Sequence, residues 1–221
     1  MPDYNRSDGH GASQGPFIPY QVDNNPDSDN ADGSEFITAL SDAANANAQD
    51  LKSAINNLVG PYSIVEGASG AVDYTGSSRL RRLDTNGDVT SVNLTGCLAC
   101  ESFTVSSANG LTEIVGLADL VNLTHLALTN CFALTALDLS AATQLISLTL
   151  QGSSAIDPSD IESALPAMTD LVSLNLVSGP DITTLDLHDK TALTAVLALN
   201  PSLATIDLSG CAALAQFSLF D

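Results

Sequence analysis

Leu123-THLAL, Leu134-TALDL, Leu145-ISLTL, Leu171-VSLNL, Ile182-TTLDL, Leu193-TAVLA, Leu203-ATIDL and Leu214-AQFSL decide how this chain folds. Each opens on an apolar residue and continues as LxxLxL or nearly so, and the starts step by 11, 11, 26, 11, 11, 10 and 11 residues. Apolar residues three and then two apart suit a short strand entered through a turn. A long helix would need its apolar stripe to continue unbroken. Two half-units of about 11 residues make a unit of about 22, the length of one coil in a stacked repeat.

The half-units alternate. One series runs through Cys100-ESFTV and the units at Leu123, Leu145, Leu171, Leu193 and Leu214; the other runs through Val89-TSVNL and the units at Leu134, Ile182 and Leu203. This spacing predicts two strand series per coil. The second-series strand due near residue 156 is replaced by Asp157-PSDIESALPAM. Asp157 can cap a helix there, Pro158 suits its first position, and Asp160 favours the positive end of its dipole. One coil therefore carries a short helix where its neighbours carry a strand. Between the core positions, Asp138, Asp186 and Asp207, with Asn93 in line, should point outward on the helix-bearing side. The other side should show Thr104, Ala127, Thr149, Asn175, Leu197 and Ser218, which are small and uncharged.

Leu111-TEIVGLADLVNLTHLAL follows the rhythm IxGLxxLxNLTxLxL. In this it resembles the internalin-like, short bacterial form of leucine-rich repeat, over roughly residues 89–219. The resemblance implies that the first series forms a concave sheet and the helix-bearing side is convex. It implies a binding or structural scaffold rather than an activity. The expected fold is mainly β: a leucine-rich repeat solenoid with two strand series per coil, preceded by an extended arm and one amphipathic helix. The resulting division is 1–33 an extended or disordered docking arm, 34–60 a helix, 61–88 a connector and N-terminal cap, and 89–221 the repeat domain.

Residues 1–33 are rich in Asp, Asn, Gly, Ser and Pro, and their one apolar cluster is Phe17, Ile18, Tyr20 and Val22. Such a segment cannot offset its own ordering entropy, so that cluster is the natural anchor if a partner orders it. A helix follows, with Asp32 and Glu35 forming a capping box and Gly60-Pro61 ending it. Ile37, Leu40, Ala44, Asn47, Leu51, Ala54 and Leu58 step by 3 and 4 in turn, the spacing of a coiled-coil seam. So thin a seam is marginal alone. It either packs on its own solenoid or is held in an oligomer, where Asn47 would fix the register among identical chains. Within 61–88, Tyr62-SIV, Ala71-VDY and Leu80-RRL read as short strands that cover the solenoid's open end. Arg79, Arg81 and Arg82 form the one basic cluster, suited to ion pairs within or between chains.

Composition narrows the partners. The net charge is −20, with 26 acidic residues against 6 Lys and Arg. That charge repels nucleic acid and anionic membranes. No basic segment precedes an apolar one at the start of the sequence, so neither a secretory signal nor a membrane span is expected.

Four cysteines invite thiol chemistry, and Cys97-LAC brings two within one turn. The repeat offers a plainer role. Cys97, Cys131 and Cys211 each fall three residues after the last apolar residue of a strand, and the resemblance to leucine-rich repeats implies that this is the turn position where Asn or Cys faces inward and donates to neighbouring backbone. The competing readings are a disulfide, or a zinc site whose ligands would have to converge from distant coils. His125 and His188 belong to opposite series and should face apart, so no Ser/His/Asp or Cys/His arrangement forms and catalysis is not expected. Asp84, Asn86 and Asp88 alternate like the first ligands of a calcium loop, but Val89 and Thr95 stand where that loop needs glycine and glutamate. An Asn-Gly turn is the simpler reading of Asp84-TNGD. Calcium is the only cofactor candidate.

The order of arm, heptad helix, connector and repeat domain resembles the layout of virion attachment proteins of tailed bacteriophages, such as fibres and capsid decoration proteins. The resemblance implies a non-enzymatic structural protein made in the host cytoplasm and residing in the virion. It would dock on a larger protein assembly by Phe17 to Val22, trimerise through Ile37 to Leu58, and project residues 89–221. The alternative is a bacterial leucine-rich surface or effector protein that binds a host protein.

Overall fold

The computed structural model describes the backbone of residues 62–67 and the whole of residues 69–219. The docking cluster at Phe17 to Val22 and the heptad seam from Ile37 to Leu58 lie outside these described residues.

The first-series strands stack into one parallel sheet of eight. In order these are β1 (Tyr62–Gly67), β3 (Leu80–Asn86), β5 (Ser102–Ser106), β7 (His125–Thr129), β8 (Ser147–Thr149), β9 (Ser173–Asn175), β11 (Ala195–Ala198) and β13 (Gln216–Leu219). Eight strands in a row bound seven coils, so the molecule is a parallel β-solenoid. Register shows why the alternation works. Leu83, Phe103, Leu126, Leu148, Leu174, Val196 and Phe217 pair directly across successive strands. All but Phe217 in this row are at most 1% exposed. Each coil thus covers the apolar side of the one before, and each fully buried leucine or valine contributes about 1.5–3 kcal/mol. The paired numbers also give the coil lengths, from 19 residues between Ile64 and Leu83 to 26 between Leu148 and Leu174. The longest coil is the one that holds the helix.

The opposite side is broken. β2 (Gly70–Asp73), β4 (Val89–Asn93) and β6 (Glu113–Val115) form a three-stranded parallel sheet, and β10 (Thr184–Asp186) and β12 (Thr205–Asp207) form a pair. Between them stands α1 (Pro158–Ala164), continued by a 3₁₀ turn over Leu165–Ala167. Asp157 caps α1 by accepting from the Ser159 amide, and Pro158 holds its first position. The unit at Leu134, expected to be a strand, forms none. The next coil offers it a helix rather than a ladder partner, and its Leu137 N–H donates to the Asp160 carboxylate at 2.8 Å. β6 belongs to the same side, though Leu111-TEIVGL lacks the LxxLxL signature. The strands of the 61–88 stretch continue both sheets, with β1 and β3 on one side and β2 on the other.

Both corners of the coil repeat a left-handed residue. After the long-sheet strands it is Gly87, Ser107, Asn130, Gly152 and Ser178. After the broken side it is Gly76, Gly96, Gly116, Asp189 and Gly210. At Gly116, with φ at 78°, a side chain would also drive into the Thr95 backbone of the preceding coil. Only glycine fits there.

Candidate functional site

Four acidic residues on the broken side, Asp73, Asp138, Asp186 and Asp207, are engaged in building turns. At the end of five strand-like half-units a carboxylate or amide oxygen accepts from the backbone N–H two residues on. Asp73 takes Thr75 at 2.9 Å, Asn93 takes Thr95 at 3.1 Å and Asp138 takes Ser140 at 3.0 Å. Asp186 takes His188 at 3.1 Å and Asp207 takes Ser209 at 2.8 Å. These are Asx turns, which close the corner without a ladder partner. Hydrogen bonds from Ser140, His188 and Ser209 hold Asp138, Asp186 and Asp207 below the usual carboxylate range. The recurring spacing of Asp or Asn two before Thr, Ser or His is visible in the sequence, and it is the signal that a reading of these residues as merely outward-facing misses.

The calcium candidate is not gathered. Asp84 and Asn86 point outward from β3, and Asp88 lies beyond the turn at Gly87. The Arg82 guanidinium lies 2.5 Å from Asp84 Oδ2, occupying the oxygen a cation would need. The other oxygen, Oδ1, is buried without a partner, as is the Thr85 hydroxyl. Asp88 serves through its carbonyl, which accepts from the Gly70 N–H at 2.9 Å. Among the described residues no three His, Cys, Asp or Glu side chains converge on a common point. The basic cluster forms intrachain pairs: Arg82 with Asp84, and Arg81 with Glu101 across neighbouring coils at 3.4 Å.

All four cysteines are free thiols. Cys97 donates to the Tyr74 carbonyl at 3.2 Å and Cys211 to the Leu187 carbonyl at 3.0 Å, each reaching back one coil. Cys100 donates to Ser102 at 3.4 Å, and Cys131 approaches the Thr129 carbonyl at 3.8 Å. Burial pushes the Cys97 thiol up to about 11 and the Cys100 thiol to about 12, so neither supplies a thiolate near neutral pH.

His125, on β7, meets the hydroxyl of its neighbour Thr124 at 2.8 Å. His188 sits on the other side of the coil, 2.8 Å from the Asp186 carboxylate that raises its pKa. Both rings are exposed, and they face apart as expected. Lys190 is the one feature that spacing does not suggest. It occupies an inward corner position equivalent to Cys97, Met168 and Cys211, each three residues before a core leucine or cysteine. Only 2% exposed, it donates from Nζ to the Leu165 carbonyl at 2.7 Å and the Met168 carbonyl at 3.1 Å. The ammonium thereby satisfies the end of the helical coil, and burial lowers its pKa.

The outer face of the long sheet carries Thr104, Ala127, Thr149, Asn175, Leu197 and Ser218 in one register row. This row is plain, with neither an aromatic anchor nor a charge. No helix among the described residues is long and apolar enough to cross a membrane. Set against protein families, curated proteins and solved structures, the chain matches none of them.

Proposed function

We propose that this chain is a non-enzymatic attachment protein of a virion, a fibre or capsid decoration protein of the tailed-bacteriophage kind. The observation that supports this best is the economy of the solenoid. Its cysteines, its one buried lysine and its recurring strand-end acids are spent on turns, corners and coil-to-coil bonds. What remains is a body suited to holding a shape and projecting it. On this reading the specific contacts belong to the N-terminal segment. Phe17, Ile18, Tyr20 and Val22 dock on the particle, the seam from Ile37 to Leu58 assembles three copies, and the protein is made in the host cytoplasm.

The seam can be tested in the full chain. Light scattering should give the mass of three chains, and Leu40→Ser combined with Leu51→Ser should lower it to one while the β spectrum persists. An unchanged mass in that variant would remove the seam from the proposal.

A further inference from the structure

Where the second side of the coil is interrupted, the break leaves a groove of about 460 Å³. Its floor is the extended segment around Asp138 and Ser140, and its wall is one face of the helical segment, carrying Asp160, Ala164 and Ala167. Floor and helix are tied together by the Asp157 N–H donating to the Thr135 carbonyl at 2.9 Å and by the Leu137 N–H donating to the Asp160 carboxylate at 2.8 Å. Towards Ser140 and Ala167 the two walls are small side chains.

The floor is an unfinished ladder. In three other coils the amide at the equivalent position donates to the next coil. Tyr74 donates to Asn93 O at 2.8 Å, Leu94 to Val115 O at 2.8 Å and Leu187 to Asp207 O at 2.9 Å. Leu139 holds that position here, and its next coil is the helix. Among the described residues no backbone acceptor meets its N–H. A backbone donor at a sheet edge is what an added strand uses, with side-chain pockets supplying selectivity. Charge selects the sign of the occupant. Asp138 and Asp160 both line the groove, no cationic side chain among the described residues pairs with either, and the chain carries a net charge of −20.

We infer that this groove binds a short extended peptide segment bearing a lysine or arginine. A peptide carbonyl accepts from the Leu139 N–H, and the cationic side chain lies between Asp138 and Asp160. This does not depend on how the N-terminal segment assembles.

The test uses the full 221-residue chain and two fluorescein-labelled probes, acetyl-Thr-Lys-Thr-Lys-Thr-amide and the same peptide with glutamate for lysine, followed by anisotropy at low salt. The lysine peptide should bind saturably and slow hydrogen exchange at the Leu139 amide; the glutamate peptide should do neither. Ala167→Leu fills the groove from an exposed position and should weaken binding at least tenfold. Asp138→Asn should weaken it about fivefold without disturbing the turn, since Asn93 makes the same turn in its own coil. Absence of saturation, equal binding of both peptides, or lysine-peptide binding untouched by both variants would overturn the assignment.

Discussion

Single residues set the corners of this solenoid, and their backbone conformation matters more than their chemistry. Ser107 holds φ at 59° in a column where other coils use Gly87 and Gly152. A non-glycine residue is strained there by about 1–2 kcal/mol, part of which glycine's greater unfolded entropy offsets. Ser107→Gly should therefore raise stability by roughly 0.5–1 kcal/mol, read as a higher urea midpoint at unchanged slope. The buried thiols make a second prediction at this scale. Cys97 and Cys100 have folded pKa values raised to about 11 and about 12, above an ordinary thiol near 8.5. Above about pH 8.5 the unfolded chain gives up these protons first and binds fewer than the folded chain, so stability falls as pH rises through both folded values. Burial raises the Cys131 thiol as well, whereas Lys190, whose pKa is lowered, acts the other way, adding stability as pH rises towards about 10.4; it is one group against three. Urea midpoints under reducing conditions should hold to about pH 8.5 and then fall, less steeply in Cys100→Ala. A flat profile would mean that the thiols are not buried as described. The inward thiols were legible from their spacing. The turn-closing role of the aspartates is missed by outward placement alone, which does not say which N–H a carboxylate will meet; the two-residue spacing to Ser, Thr or His carries it.

Elements follow from what the neighbouring coil offers. α1 was legible because its Asp157 cap and Pro158 are local signals. The unit at Leu134 reads as well for a strand as the one at Ile182, yet only the second becomes one, β10. The difference lies in the next coil, which offers β12 to β10 and a helix to the unit at Leu134. Such non-local choices do not show in a window of single sequence. Lys190 is the counterpart on the far side of the helical coil, where a neighbour without a helix would keep a small or apolar residue. Lys190→Met should leave the Met168 carbonyl without its donor and the Leu165 carbonyl with only the Met168 N–H, and cost about 1–3 kcal/mol, measured by urea unfolding. Cys97→Ala, which removes one weak thiol donor, should cost less. Equal losses would contradict the capping role of the lysine.

At the scale of the whole molecule, stability should be graded along the stack, because each coil is held by its two neighbours. Leu148 lies mid-stack at 0% exposure, while Phe217 in the last strand is 41% exposed. Leu148→Ala should cost about 2–5 kcal/mol, and Phe217→Ala clearly less despite the larger side chain removed. The periodicity made the solenoid readable because burial by stacking imposes the same apolar spacing on every coil. The function was less readable, since a scaffold of this kind spends its distinctive residues on itself. The proposed function makes the solenoid a self-sufficient projected body and puts assembly in the segment before it. Light-scattering masses of the full chain and of residues 62–221 test this most directly. The account predicts three chains for the first and one, folded, for the second; a full chain that stays monomeric at high concentration would contradict it.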